Sequence, residues 1–82
     1  MIEYRFEPEE HRSAAYDDGQ LIGVCQYTEQ DGAWYIIHTE VVPAYGGQGI
    51  ARKLVMTVAN EAQEQGIPVV PICSYAVKVL GE

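Results

Sequence analysis

The chain has no apolar stretch of the length, about 20 residues, that a membrane-spanning helix needs. Its first residues, Met1-Ile2-Glu3-Tyr4-Arg5, lack the basic-then-apolar order of a secretory leader, so a cytoplasmic protein with no membrane partner is expected. Cysteine is scarce. Cys25 and Cys73 are too few for a disulfide framework and lack the spacing of metal ligands, so both read as free thiols and no metal site is expected. Basic residues are scarce too: 5 Lys and Arg stand against 12 Asp and Glu, a formal net charge of −7. Such a chain repels nucleic acid, and no basic cluster offsets this. It tolerates a cationic or amine partner better. Neither internal repeats nor low-complexity segments nor an interdomain linker are present.

What remains is one domain, 1–82. A domain of this length buries roughly 60–65% of its unfolded surface, so its stability is modest unless a ligand or a second copy adds to it, and a homodimer is within reach.

The order of the chain predicts an α+β fold. Arg12 to Tyr16 and Gln20 to Thr28 read as strands joined at Asp17-Asp18-Gly19, since Asp-Gly supplies the positive φ angles of a tight hairpin. Gln30-Asp31-Gly32 is a second turn, and Ala33 to Val42, rich in aromatic and β-branched residues, is a long third strand. The first half is therefore expected to be a three-stranded antiparallel meander. The pattern changes after Pro43. Ile50, Ala51, Leu54, Val55, Val58, Ala59 and Ala62 step by three and four, which predicts a helix over about 47–65, capped at Gly66. Ile67 to Cys73 reads as a buried strand parallel to the third, with the helix as right-handed crossover. Tyr75 to Leu80 begins a last helix with Ser74 as N-cap. Pro71 cannot donate within a ladder, so its strand is either an edge or one that splays from its neighbour and leaves a cleft.

The turn Gly46-Gly47-Gln48-Gly49 precedes the long helix. Glycines there let successive amides point inward, and the helix N-terminus adds unpaired donors and partial positive charge, a setting for a phosphate or pyrophosphate. An ordinary loop that needs glycine for its angles reads the same way. Two features favour a ligand: glycine at position 49 costs helix stability of about 0.5–1 kcal/mol relative to alanine, and three of the five basic residues, Arg52, Lys53 and Lys78, flank this turn and the end of the next strand. The turn has neither the dinucleotide fingerprint nor the Gly-Lys-Ser/Thr of a P-loop.

His38-Thr39-Glu40-Val41, Gly47-Gln48-Gly49-Ile50-Ala51 and Val69-Val70-Pro71-Ile72-Cys73-Ser74-Tyr75 together resemble the small stand-alone GNAT-like N-acetyltransferase domains of the YjdJ type, over about Arg12 to Leu80. The resemblance implies a trimmed GNAT-like fold in which the splayed strands form a V-shaped cleft for the arm of acetyl-CoA, the acyl donor. Val41, Val42, Gly46, Gly47, Gln48, Gly49, Ile50, Ala51, Arg52 and Lys78 would bind that donor, with the pyrophosphate on the amides of Gly47 to Ala51. Gly49 and Ala51 match the last two fixed positions of the family's pyrophosphate motif. Gly46 stands where the family usually has Arg or Gln, which removes a side-chain donor but leaves the backbone cradle.

Strict alternation along the third strand places Trp34, Ile36, His38 and Glu40 on one face and Tyr35, Ile37, Thr39 and Val41 on the other. If the last two strands are neighbours, His38 and Cys73 both face the cleft. His38 then serves as general base for an amine, or is only a hydrogen-bonded histidine beside the core. Cys73 serves as a transient acyl acceptor if a nearby His lowers its pKa, or is only a small buried hydrophobe. The resemblance makes both candidate active-site residues and offers Tyr75 as the proton donor to the departing CoA thiolate, against plain packing. Glu40 orients His38 or is solvated. Cys25 reads as core and His11 as exposed. The expected function is transfer of acetyl from acetyl-CoA to an amine acceptor. The alternatives are a non-catalytic acyl-CoA-binding or interaction module and a small structural domain.

Overall fold

Two Asp-Gly pairs set the geometry of the sheet. Asp18 and Gly19 have φ of 50° and 84°, Asp31 and Gly32 52° and 78°. Positive φ at both central residues is the signature of the type I′ turn, whose twist matches that of the flanking strands. In the computed structural model, which describes residues 1–81, these turns join β2 (Arg12–Asp17) to β3 (Gln20–Gln30) and β3 to β4 (Ala33–Val41). A further strand, β1 (Ile2–Glu7), pairs antiparallel with β2 from Ile2↔Asp17 to Glu7↔Arg12. The meander is therefore four-stranded, not three-stranded. The missed strand has its own signal: Ile2, Tyr4 and Phe6 alternate with Glu3, Arg5 and Glu7.

α1 (Ile50–Glu64) leads to β5 (Val69–Pro71), which pairs parallel with β4, giving the order β1-β2-β3-β4-β5. α1 begins later than predicted because Gly47 and Gly49, at φ 78° and 76°, are not helical. It ends as the residues require. Gly66 takes φ 70°, its amide bonds to Gln63, and the Ile67 amide reaches back to Ala62 at 2.8 Å, which satisfies carbonyls of the last turn. β5 is shorter than the predicted Ile67 to Cys73 and only half-buried, because it is an edge. α2 (Ser74–Leu80) follows it directly.

The apolar face of α1, Ile50, Leu54, Val55, Val58 and Ala62, is buried against Ala15, Ile22, Cys25, Tyr27, Trp34 and Ile36 of the sheet, with Ala76 and Val79 of α2 closing the same core. Tyr27 and Trp34 stack at 4.2 Å. The buried Ser13 hydroxyl donates to the Leu54 carbonyl at 2.8 Å, tying β2 to mid-helix. Gly23 of β3 lets α1 come close: a Cβ there would meet Leu54 Cδ1 at 3.1 Å and Val41 Cγ2 at 3.2 Å.

β4 carries a bulge. Ile36 pairs with Tyr27 and His38 with Gln26, so Ile37 is an extra residue. Inward facing therefore passes from Trp34 and Ile36 to Thr39 and Val41, and His38 and Glu40 turn to the face without helices. This corrects the strict alternation expected along the strand. Replacement of Gly23 by Ala forces overpacking under Leu54 and is expected to cost about 1–3 kcal/mol in urea unfolding, with the slope of the transition unchanged.

Candidate functional site

The pairing of β4 and β5 covers only Trp34↔Val69, Tyr35↔Val70 and Ile36↔Pro71. The amides of Ile72 and Cys73 then both donate to the Ile36 carbonyl, at 2.9 and 3.0 Å. Beyond this point the chain turns into α2, and the edge of β4 that faced β5 has no backbone partner among the described residues from Ile37 to Val41. Both readings of Pro71 hold: its strand is an edge and it splays.

The open strand edge leads to the glycine turn. A 3₁₀ turn, Pro43–Tyr45, follows β4, and the Tyr45 and Gly46 amides bond back to the carbonyls of Val42 and Pro43. The next bond onward is the Lys53 amide to the Gly49 carbonyl at 3.1 Å. Among the described residues, the amides of Gly47, Gln48, Gly49, Ile50 and Ala51 reach no backbone acceptor. Gly47 and Gly49 take positive φ, and a Cβ placed on either would meet none of the described atoms within 4 Å. A groove of about 250 Å³ adjoins them, lined by the three glycines of the turn, Ile50 and Ala51, with Val41, Tyr45 and Tyr75. The site thus has the amides, the groove and the missing side chains that a diphosphate group requires.

Tyr45 was not legible as a site residue; only its nearness to the glycines hinted at it. Its hydroxyl donates to Asp17 Oδ2 at 2.5 Å, and Asp17 Oδ1 lies 3.1 Å from the N-terminal ammonium. The Tyr45 hydroxyl, and then the ammonium, hold the Asp17 carboxyl below its ordinary range. One groove wall is thereby tethered to the end of β2.

The predicted basic residues divide. Arg52 lies in the first turn of α1. Lys53 places its ammonium over the Tyr4 ring at 4.5 Å, toward β1, and Lys78 in the last turn of α2 does not line the groove. Val42 lines a different concavity of about 220 Å³, with Leu21, Val24 and Glu40.

His38 and Cys73 flank the gap between the strands from opposite faces. His38 Nε2 lies 3.0 Å from Glu40 Oε1 on the open face, half exposed. Cys73 sits on the helix side and, in place of the expected Ser74, is the N-cap of α2: its sulfur accepts the Ala76 amide at 3.4 Å. Thr39 Oγ1 lies 3.6 Å from Cys73 Sγ and 3.6 Å from Cys25 Sγ. The bulge at Ile37 is what puts Thr39, rather than His38, beside Cys73. Tyr75, at the start of α2, reaches the groove. Cys25 is buried, and burial pushes its thiol up to about 11, against the opposing hydrogen bond from Thr39. Among the described residues no cluster of three or more His, Cys, Asp or Glu could hold a metal ion, and no helix is long and apolar enough to cross a membrane.

A family model of GCN5-related N-acetyl-transferases matches residues 12–82. The chain belongs to that family, and its fold is a trimmed form of the GNAT architecture. Among solved structures it is similar to a GCN5-related N-acetyltransferase from Sphaerobacter thermophilus, at 27% identity and TM-score 0.68 over 73% of this chain and 20% of that one. It is also similar to a ribosomal-protein-alanine N-acetyltransferase from Brucella melitensis, at 25% identity and TM-score 0.66 over 73% of this chain and 47% of that one. A predicted acetyltransferase from Clostridium acetobutylicum, solved with acetyl-CoA, shares the fold at 20% identity and TM-score 0.67, over 87% of this chain and 56% of that one. The chain thus spans from a fifth to just over half of these proteins. No curated protein matches it.

The folded state keeps Cys25 neutral, so this contribution to stability is complete below the thiol's ordinary 9.0 and is lost as pH rises toward about 11. Native treatment with iodoacetamide at pH 8 is expected to label Cys73 and spare Cys25, as read by peptide mass. The melting temperature is expected to fall between pH 9 and 11, and less so in Cys25→Ala.

Proposed function

We propose that the chain is an acetyl-CoA-dependent N-acetyltransferase acting on an amine. One observation carries the reading: among the described residues, a strand edge without backbone partners runs from the splay at Ile36 to a row of amides at Gly47 to Ala51 that reach no backbone acceptor. The amides of Gly47 to Ala51 would hold the pyrophosphate, with Arg52 beside them in the first helical turn, and the free edge of β4 near Val41 would align the arm. The donor supplies an acetyl carbonyl already activated as a thioester.

The protein's part is to position and to move protons. A nitrogen reaching the gap from the open face meets His38, which can take its proton and pass it on, with Glu40 at 3.0 Å to stabilise the imidazolium. Tyr75 lines the groove, and in this reading it would return a proton to the departing thiolate. Placement of His38 and Cys73 on opposite faces favours direct transfer in a ternary complex, because His38 cannot serve the Cys73 sulfur. Cys73 nevertheless has two hydrogen-bonding neighbours of its own, so an acyl-Cys73 route stands as the second path.

A non-catalytic acyl-CoA module is the alternative, and Gly46 favours it because it offers the phosphates no side chain. Thermal melting with acetyl-CoA separates donor binding from none: at 100 times Kd the added stability is about 2.7 kcal/mol, a shift of roughly 10 °C or more for a domain of this size. An unchanged melt at millimolar acetyl-CoA counts against both binding readings. With an amine panel, His38→Ala is expected to lower kcat by about 10²- to 10⁴-fold with the melting shift retained; equal turnover in the variant would remove His38 as the base. Gly46→Gln is expected to tighten acetyl-CoA roughly three- to tenfold by calorimetry. The backbone at position 46, φ −63° and ψ 152°, suits any residue, although the new Cβ would press on the Pro43 carbonyl at 3.2 Å.

A further inference from the structure

Thr39 has one hydroxyl proton and two sulfur neighbours at equal distance, Cys25 Sγ and Cys73 Sγ, each at 3.6 Å. When the proton points to Cys25, the Thr39 oxygen can accept the S–H of Cys73. When Cys73 carries no proton, the hydroxyl can turn and donate to it instead. We propose that Thr39 is a positioning residue for Cys73, a hydroxyl that accepts from the thiol at rest and donates to the thiolate when the sulfur acts as a nucleophile.

Three features support this. The Ala76 amide donates to the same sulfur at 3.4 Å, so the thiolate would have two donors converging on it. Cys25 is fully buried and stays protonated, so it can give up the Thr39 proton without gaining a charge. The bulge at Ile37 is the reason Thr39 points to the sulfurs at all. Cys25 of β3 shares the Thr39 hydroxyl with Cys73, Tyr75 of α2 packs against the same core, and His38 of β4 lies by Glu40 on the other face.

The inference rests on the acyl-Cys73 path of the proposed function for its use. There, the Cys73 thiol loses its proton, its sulfur bonds to the acetyl carbon as the carbon–sulfur bond to CoA breaks, and the departing CoA thiolate takes up that proton. An amine nitrogen then bonds to the carbonyl carbon and loses a proton, the acyl–sulfur bond breaks, and the Cys73 thiolate, met by the two donors, takes up that proton to restore the resting thiol.

The test needs neither donor nor amine, so its outcome is separate from turnover. The pH dependence of Cys73 alkylation by iodoacetamide is measured by mass in the wild type, Thr39→Val, Thr39→Ser and Cys25→Ala. Thr39→Val is expected to move the midpoint up by about one pH unit, a tenfold loss of thiolate near neutrality. Thr39→Ser is expected to restore the wild-type midpoint, and Cys25→Ala, which removes the competing sulfur, to lower it. A Thr39→Val profile that coincides with the wild type, or a serine variant that behaves like valine, overturns the proposal. Should Thr39→Val fail to fold, Cys25→Ala decides: an unshifted midpoint overturns it.

Discussion

The carbonyl of Ile36 takes the amides of both Ile72 and Cys73, and with that the pairing of β4 and β5 stops. The candidate site depends on that termination. Had β5 continued, the edge of β4 would be consumed by the ladder, and α2 could not begin at Ser74. Pro71 makes the ending natural, since its nitrogen can donate to nothing and the strand has no neighbour on its far side. The result, among the described residues, is a strand edge without backbone partners beside a helix N-terminus whose amides reach no backbone acceptor. A protein leaves both open only where a ligand or water completes them.

Holding that gap open takes a rigid frame around it. α1 is seated against β3 at Gly23, tied to β2 through Ser13, and packed along five buried side chains. The groove wall at Tyr45 is fastened to Asp17 at the far end of a hairpin. These contacts are long in sequence and short in space. They explain how a chain with so little core to spare can hold five successive amides without a backbone acceptor among the described residues.

The bulge at Ile37 is the second constraint. It changes which side chains meet across the gap, setting Thr39 beside two sulfurs and His38 beside Glu40 on the opposite surface. His38 and the two sulfurs thereby stand on separate faces. The chain belongs to the GCN5-related N-acetyl-transferase family and spans only part of the larger relatives it resembles.

Much of this was written in local pattern. The Asp-Gly hairpins, the apolar stripe of α1, the Gly66 cap and the turn at Gly46 to Gly49 are each decided by a few neighbouring residues, and the alternation of Ile2, Tyr4 and Phe6 marked β1 as well. The facing of His38 was not, because a one-residue bulge has no signature in an alternating strand and reverses every side chain after it. Nor were Tyr45 and Thr39 legible as parts of the site. Their roles come from partners 28 and 34 residues away, Asp17 and Cys73, and only packing decides which distant groups share one hydrogen bond.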